Sequence, residues 1–180
     1  MQTFIFLADG FEETEALCPW DILLRAGVPV KLVSVNESEF VTGTHSLKVK
    51  ADLTTASIGK PEGEICVVLP GGMPGAANLD RDPTVDLYIA HAAKHGHLAA
   101  ICAAPFILGT RGLLAGKEAT CFPGFEDKLC GARLSEKKAV TDGNVTTARG
   151  MGAAFEFAIE LVSALCGKDT ARKVSEATQH

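Results

Sequence analysis

The chemistry open to this sequence concentrates in three short segments, the most informative being Ala99-Ala100-Ile101-Cys102-Ala103-Ala104-Pro105. An apolar run enters Cys102 directly, two alanines follow, and Pro105 suits the first turn of a helix, where its missing N–H costs nothing. Small residues around a nucleophile permit a cramped strand-to-helix elbow that lifts the side chain above a sheet. A thiol there faces the N–H groups and positive dipole end of the helix. That setting favours thiolate and predicts that Cys102 alone, of six thiols, titrates well below the unperturbed ~8.5. The competing account is a small buried cysteine in a tight turn, since free cysteine is among the most buried residue types.

The second segment is Pro70-Gly71-Gly72-Met73-Pro74-Gly75. Adjacent glycines let the backbone approach a ligand and aim N–H groups at a negative centre, which suits an oxyanion hole; a plain tight turn uses them too. No Gly-x-Gly-x-x-Gly follows a strand, so no dinucleotide site is expected. The third segment is acidic: Asp9-Gly10-Phe11-Glu12-Glu13-Thr14-Glu15. Carboxylates at a helix start stabilise its dipole, and for at least one of these that is the expected role. A carboxyl turned inward beside a thiolate would have to stay protonated, held up by burial and like charge, and could then move protons. Helical spacing leaves the inward residue open, because Glu12 aligns with Ala16 and Trp20 while Glu15 aligns with Pro19 and Leu23.

Metal chemistry is not expected. His91 and His95 are four apart on a helix with His97 close by, but no acidic or cysteine partner adjoins them, and a polar helix face accounts for the spacing. Cys18, Cys66, Cys102, Cys121, Cys130 and Cys166 are scattered, with no zinc spacing, and read as free thiols. His45 falls in a half-exposed strand and fits either the surface or the rim of the site; His180 is terminal.

Positioning these segments requires strands that end where they begin. Apolar runs at Thr3–Leu7, Val30–Val35, Ile65–Leu69 and Leu98–Ile101 alternate with amphipathic stretches at Glu13–Ala26 and Thr84–His95, and a helix follows from about Ala104. This pattern predicts βαβ units and a mostly parallel sheet. Gly43–Ala51 alternates, with Leu47, Val49 and Ala51 on its apolar side, and reads as a half-exposed strand. A strand near Ala119–Phe122 and a hairpin of Ala139–Thr141 with Val145–Ala148 around Asp142-Gly143 follow. A helix at Ala153–Leu165, with Phe155, Ala158, Ile159, Val162 and Leu165 on its apolar face, stops at Gly167. Ligands in such sheets bind at the carboxyl ends of strands, where all three segments lie.

The 180 residues fit one α/β domain, 1–180. A net charge of −5 without any basic run argues against nucleic acid. No apolar stretch approaches the ~20 residues of a membrane span. The chain begins in a strand with no basic leader, so a cytoplasmic protein is expected.

Taken together, Leu7-Ala8-Asp9-Gly10-Phe11-Glu12-Glu13-Thr14-Glu15, Val68-Leu69-Pro70-Gly71-Gly72, the Cys102 segment and Arg149-Gly150-Met151-Gly152 resemble the ThiJ/PfpI superfamily from Phe4 to about Ala171. The likeness is strongest to the branch of the parkinsonism-associated deglycase and the chaperone-like YajL proteins. It implies a flavodoxin-like three-layer α/β/α sandwich, a homodimer and no cofactor. It matches Cys102 to the family's reactive cysteine and Glu15 to its partner glutamate. Gly72 and Ala103, with Gly71 beside them, match the backbone donors, and Arg25 matches a residue that reaches across the dimer. The implied substrates are small 2-oxoaldehydes or glycated protein side chains; the alternative is a non-enzymatic redox-sensing chaperone that uses oxidation of Cys102. Two departures matter: Ala103 replaces the histidine of protease-like members, and Phe122 stands where some deglycases have histidine before Pro123.

Overall fold

The computed structural model describes all 180 residues. Its first half contains β1 (Gln2–Leu7), α1 (Glu13–Arg25), β2 (Val30–Ser34), β3 (Phe40–Thr42), β4 (Lys48–Lys50), β5 (Leu53–Thr54), β6 (Ile65–Leu69), α2 (Gly75–Arg81) and α3 (Pro83–His95). Then come β7 (Gly96–Ile101), α4 (Pro105–Thr110), β8 (Glu118–Ala119), β9 (Arg133–Leu134), β10 (Ala139–Asp142), β11 (Val145–Ala148), α5 (Ala154–Cys166) and α6 (Lys168–Ala177).

Because strand side chains alternate between faces, each apolar run feeds two cores. Ile5, Leu7, Cys66, Val68, Ala99 and Ile101 pack under α1, α5 and α6. Phe6, Ile65, Val67, Leu69, Leu98 and Ala100 pack on the other face with α2, α3 and α4. Burial on both sides explains why these runs are continuously apolar rather than alternating. The seven-stranded sheet has the order β10-β11-β7-β6-β1-β2-β5, parallel throughout except for the β10–β11 hairpin. The chain leaves β1 toward β2 and later returns to the other side of β1 with β6. That reversal is the switch point at which ligands bind in such sheets, and β1, β6 and β7 end there side by side.

Several expectations need correction. The run from Gly43 to Ala51 is a strand only at Lys48–Lys50, paired with Phe40–Thr42 as a separate ribbon. Leu47 is exposed because a turn closed by Gly43 N–H to Leu47 O carries it outward. The strand near Ala119–Phe122 stops at Ala119, since the Thr120 N–H turns to Thr147 Oγ1 and the Phe122 N–H to Cys102 O. On α5 the fully buried stripe is Ala154, Phe157, Ala158, Leu161 and Val162; Phe155, Ile159 and Leu165 lie at its margin. His97 is not part of the helix-face histidines. It lies buried in β7 with its Nε2 2.8 Å from Thr146 Oγ1, and burial, then the Lys117 charge, pull it down to about 4.

Candidate active site

At Cys102 the backbone enters the left-handed region, φ 64°, a conformation costing about 1–2 kcal/mol for a residue with a Cβ. It is held by the Cys102 N–H to Ala148 O (2.9 Å) and by the Phe122 N–H to Cys102 O (2.8 Å). The buried Ala103 and Ala104 allow the chain to pass at once into α4 at Pro105. The elbow expected from the sequence is therefore formed, with strain observed at its reactive residue.

The three glutamates of the first strand end have three separate tasks. Glu12 caps α1, its Oε2 accepting the Glu15 N–H at 2.7 Å. Glu13 fastens the loop after β3: its carboxylate accepts from the His45 N–H (2.7 Å), lies 2.8 Å from His45 Nδ1 and accepts from Thr44 Oγ1 (2.9 Å). Burial resists its ionisation, but these bonds outweigh it and hold Glu13 down at about 2. Glu15 points inward, 1% exposed, where its Oε2 accepts the Gly71 N–H at 2.9 Å and its Oε1 has no N–H or O–H partner.

The glycine pair makes this convergence fit. A Cβ on Gly71 would lie 2.6 Å from Glu15 Oε2, 2.7 Å from Cys102 Cβ and 3.1 Å from Cys102 Sγ. Gly72, at φ +83°, abuts the Glu12 N–H and Gly10 O, and the Glu12 N–H donates to Gly71 O. One expectation is revised here. The Gly71 N–H is a donor, but to Glu15, and so is spent before an oxyanion could use it. The Gly72 and Ala103 backbone N–H groups favour the charged form of Cys102.

Electrostatically the cysteine and the carboxyl form one system. Burial, opposed by hydrogen bonds with Cys102 and Gly71, pushes Glu15 up to about 7. Burial, then the charge and hydrogen bond of Glu15, pushes Cys102 up to about 12 against the Ala103 and Gly72 N–H groups. Between those values the pair holds one proton and one negative charge, and its titration belongs to both residues. The depressed thiol expected from the helix dipole is not found: burial first, and then the neighbouring carboxyl, raise Cys102, and the two groups titrate as one unit. Local sequence does not place that carboxyl.

Around this pair the rim residues separate. His45 is exposed and reaches the site only through Glu13. Phe122, 48% exposed, stands beside Gly150, whose absent Cβ would lie 3.2 Å from the Phe122 ring and 3.9 Å from Cys102 Sγ. Spacing alone gives Gly150 no role, although it lies in the Arg149-Gly150-Met151-Gly152 segment. Arg25 lies at the opposite end of α1 from Glu15, paired with Asp21 at 2.7 Å, and does not meet Cys102 within its own chain.

A strained cysteine elbow at the switch point of a parallel sheet, coupled to one buried carboxyl, defines a flavodoxin-like protein with a thiol site. The DJ-1/PfpI family model matches residues 1–164, and the chain belongs to this family, in its DJ-1-like branch. It is 34% identical over 175 residues to Protein dj-1beta of Drosophila melanogaster, covering 96% of this chain and 93% of that one. It is also 34% identical to the Parkinson disease protein 7 homolog of Danio rerio, covering 96% and 94%. The oxidized DJ-1 of Toxoplasma gondii superposes with a TM-score of 0.92 at 31% identity, over 99% of this chain and 98% of that one. No helix is long and apolar enough to cross a membrane.

Proposed function

We propose that this protein converts 2-oxoaldehydes, free or as early adducts on protein side chains, to 2-hydroxy acids without a cofactor. The observation carrying this reading is the coupling of Cys102 to a buried carboxyl whose Oε1 lacks a donor. An ionised Glu15 would leave that oxygen charged and unsatisfied. A protonated carboxyl removes that charge and can donate to the sulfur beside it, while the Gly72 and Ala103 N–H groups share the sulfur's charge. In the singly protonated pair the charge therefore resides on Cys102 and the proton on Glu15.

The thiolate attacks the aldehyde carbon, a C–S bond forms, and the carbonyl electron pair moves to oxygen beside the Gly72 and Ala103 N–H groups. Glu15, having given its proton to that oxygen, removes the C–H proton of the hemithioacetal. The electron pair moves toward the adjacent ketone carbon, which is protonated in turn. The aldehyde carbon is oxidised and its neighbour reduced within one molecule, leaving a thioester that water cleaves to acid and free thiol. No external oxidant is consumed. Phe122 offers no base, so Glu15 serves every proton step in this scheme.

A second reading has the same thiolate act as a redox sensor or chaperone switch, oxidised to sulfenate and sulfinate; the oxidized Toxoplasma relative favours it. The family's link to stress response accommodates both readings. Assembly as a homodimer is part of the proposal, since Arg25 could serve a site only from a second copy.

Methylglyoxal is the direct test. Lactate should form without added cofactor, and Cys102→Ala should reduce the rate to the solution background. Intact mass after mild peroxide should show oxygen added to the wild type at Cys102. Peroxide addition without lactate would leave the sensor reading alone.

A further inference from the structure

The rim of the site is electrically lopsided. On one side stand Glu12 and the Glu13–His45 pair. On the other, β11 delivers Arg149 immediately before Gly150, the residue facing the Cys102 sulfur. Arg149 is exposed, and its guanidinium makes a single long contact, 3.5 Å to Glu136 O. Of six arginines, Arg25, Arg111, Arg133 and Arg172 are in ion pairs with carboxylates. Arg81 and Arg149 are not, and only Arg149 adjoins the site.

Two hollows meet at this residue. One, about 370 Å³, is bordered by Phe122, Gly150 and Met151, and Gly150 separates it from Cys102, a Cβ there falling 3.9 Å from the sulfur. The other, about 330 Å³, runs past Cys121 and Ser135 and carries two acidic residues, Glu126 and Glu136, so the first hollow is the one an anionic group would enter. Lys138, also on the first hollow, is occupied by Glu156. A substrate whose aldehyde carbon is at Cys102 would meet the Glu12–Glu13 side or the Arg149 side with the remainder of its chain. An anionic tail is repelled from the first and attracted to the second.

We infer that Arg149 is a specificity-determining residue, and that the substrates this site favours are 2-oxoaldehydes carrying a carboxylate a few atoms beyond the ketone. The inference rests on the aldehyde-converting reading above. The loosely held guanidinium is free to swing to such a carboxylate and bind it through two parallel N–H bonds.

Two measurements keep the inference and the underlying reading apart. The first needs no turnover. Cys102 is alkylated with iodoacetate or with iodoacetamide, in each case by displacement of iodide by sulfur, and the rates are taken by peptide mass. The iodoacetate-to-iodoacetamide ratio at Cys102 should exceed that at the exposed Cys166 about fivefold, and should fall to the Cys166 value in Arg149→Met but not in Arg149→Lys. The second compares kcat/KM for 4,5-dioxopentanoate and its methyl ester. The wild type should prefer the acid about fivefold, and Arg149→Met should lose that preference. Equal ratios at Cys102 and Cys166, or an acid preference that survives Arg149→Met, would overturn the role of Arg149. An iodoacetate preference with neither aldehyde converted would instead remove the enzymatic reading, and the substrate class with it.

Discussion

Glu15→Gln should leave a protein that is more stable at neutral pH and almost inactive. The stability change follows from linkage. The Cys102–Glu15 pair gives up its first proton at about 7 in the fold, whereas the unfolded carboxyl gives one up at 4.5, so proton binding favours folding fully below 4.5. That advantage is lost as pH rises through about 7, amounting to roughly 3 kcal/mol. Gln does not titrate, so Glu15→Gln should match the wild type near pH 4 and exceed it by about 3 kcal/mol near pH 8 in denaturant unfolding. The amide nitrogen keeps a donor beside the sulfur but cannot accept or return a proton. Turnover of methylglyoxal should therefore fall by about 10²–10⁴. Stability unchanged between the two pH values would mean that Glu15 carries no burial penalty, and retained turnover would assign the proton steps elsewhere.

Gly71→Ala should damage the site as severely as changing a reacting group, although Gly71 touches no substrate in the scheme. Its φ is not in the left-handed region, so the backbone admits alanine; the obstacle is the space. The new methyl would stand 2.6 Å from Glu15 Oε2 and 2.7 Å from Cys102 Cβ, and both neighbours are fixed, one by burial and the other by the elbow. Overpacking of this kind costs about 1–3 kcal/mol of stability. Forcing the carboxyl and sulfur apart by about 1 Å should lower kcat/KM by roughly 100-fold. A Gly71→Ala protein with wild-type turnover would show that the pair tolerates separation.

The central sheet was legible because its strands are buried on both faces, so that Ile65–Leu69 and Leu98–Ile101 read as unbroken apolar runs. The elbow was legible for a local reason: Pro105 and the alanines advertise a strand passing abruptly into a helix. Two helices were missed. Gly75–Arg81 opens with glycine and is seven residues long, and Lys168–Ala177 buries only Ala171 and Val174. A short or mostly polar helix leaves little periodic signal, because packing rather than propensity holds it. At the site, spacing could not tell Glu12 from Glu15, because both align with residues on the same helix. The choice is made by loops interlocking across the switch point, where the Glu12 N–H bonds Gly71 O and the Gly71 N–H bonds Glu15. Family resemblance identified Glu15, but gave no hint that Glu13 would anchor His45 or that Gly71 would spend its N–H on the carboxyl.

In the proposed mechanism Cys102 and Glu15 share one proton over a wide pH range, with the charge on sulfur. Ultraviolet thiolate absorbance against pH, with the five other thiols subtracted through Cys102→Ala, reads this directly. In the wild type a single thiolate should already be present near neutral pH, below the ordinary thiol range of about 8.5, as the pair loses its first proton. In Glu15→Ala the sulfur loses a charge-assisted hydrogen bond, and the midpoint should rise by about one to two pH units. The opposite pattern would contradict the account: a wild-type thiolate forming only near 12, and one that forms at lower pH once Glu15 is removed. That result would place the charge on the carboxylate and leave Cys102 a protonated thiol at neutral pH.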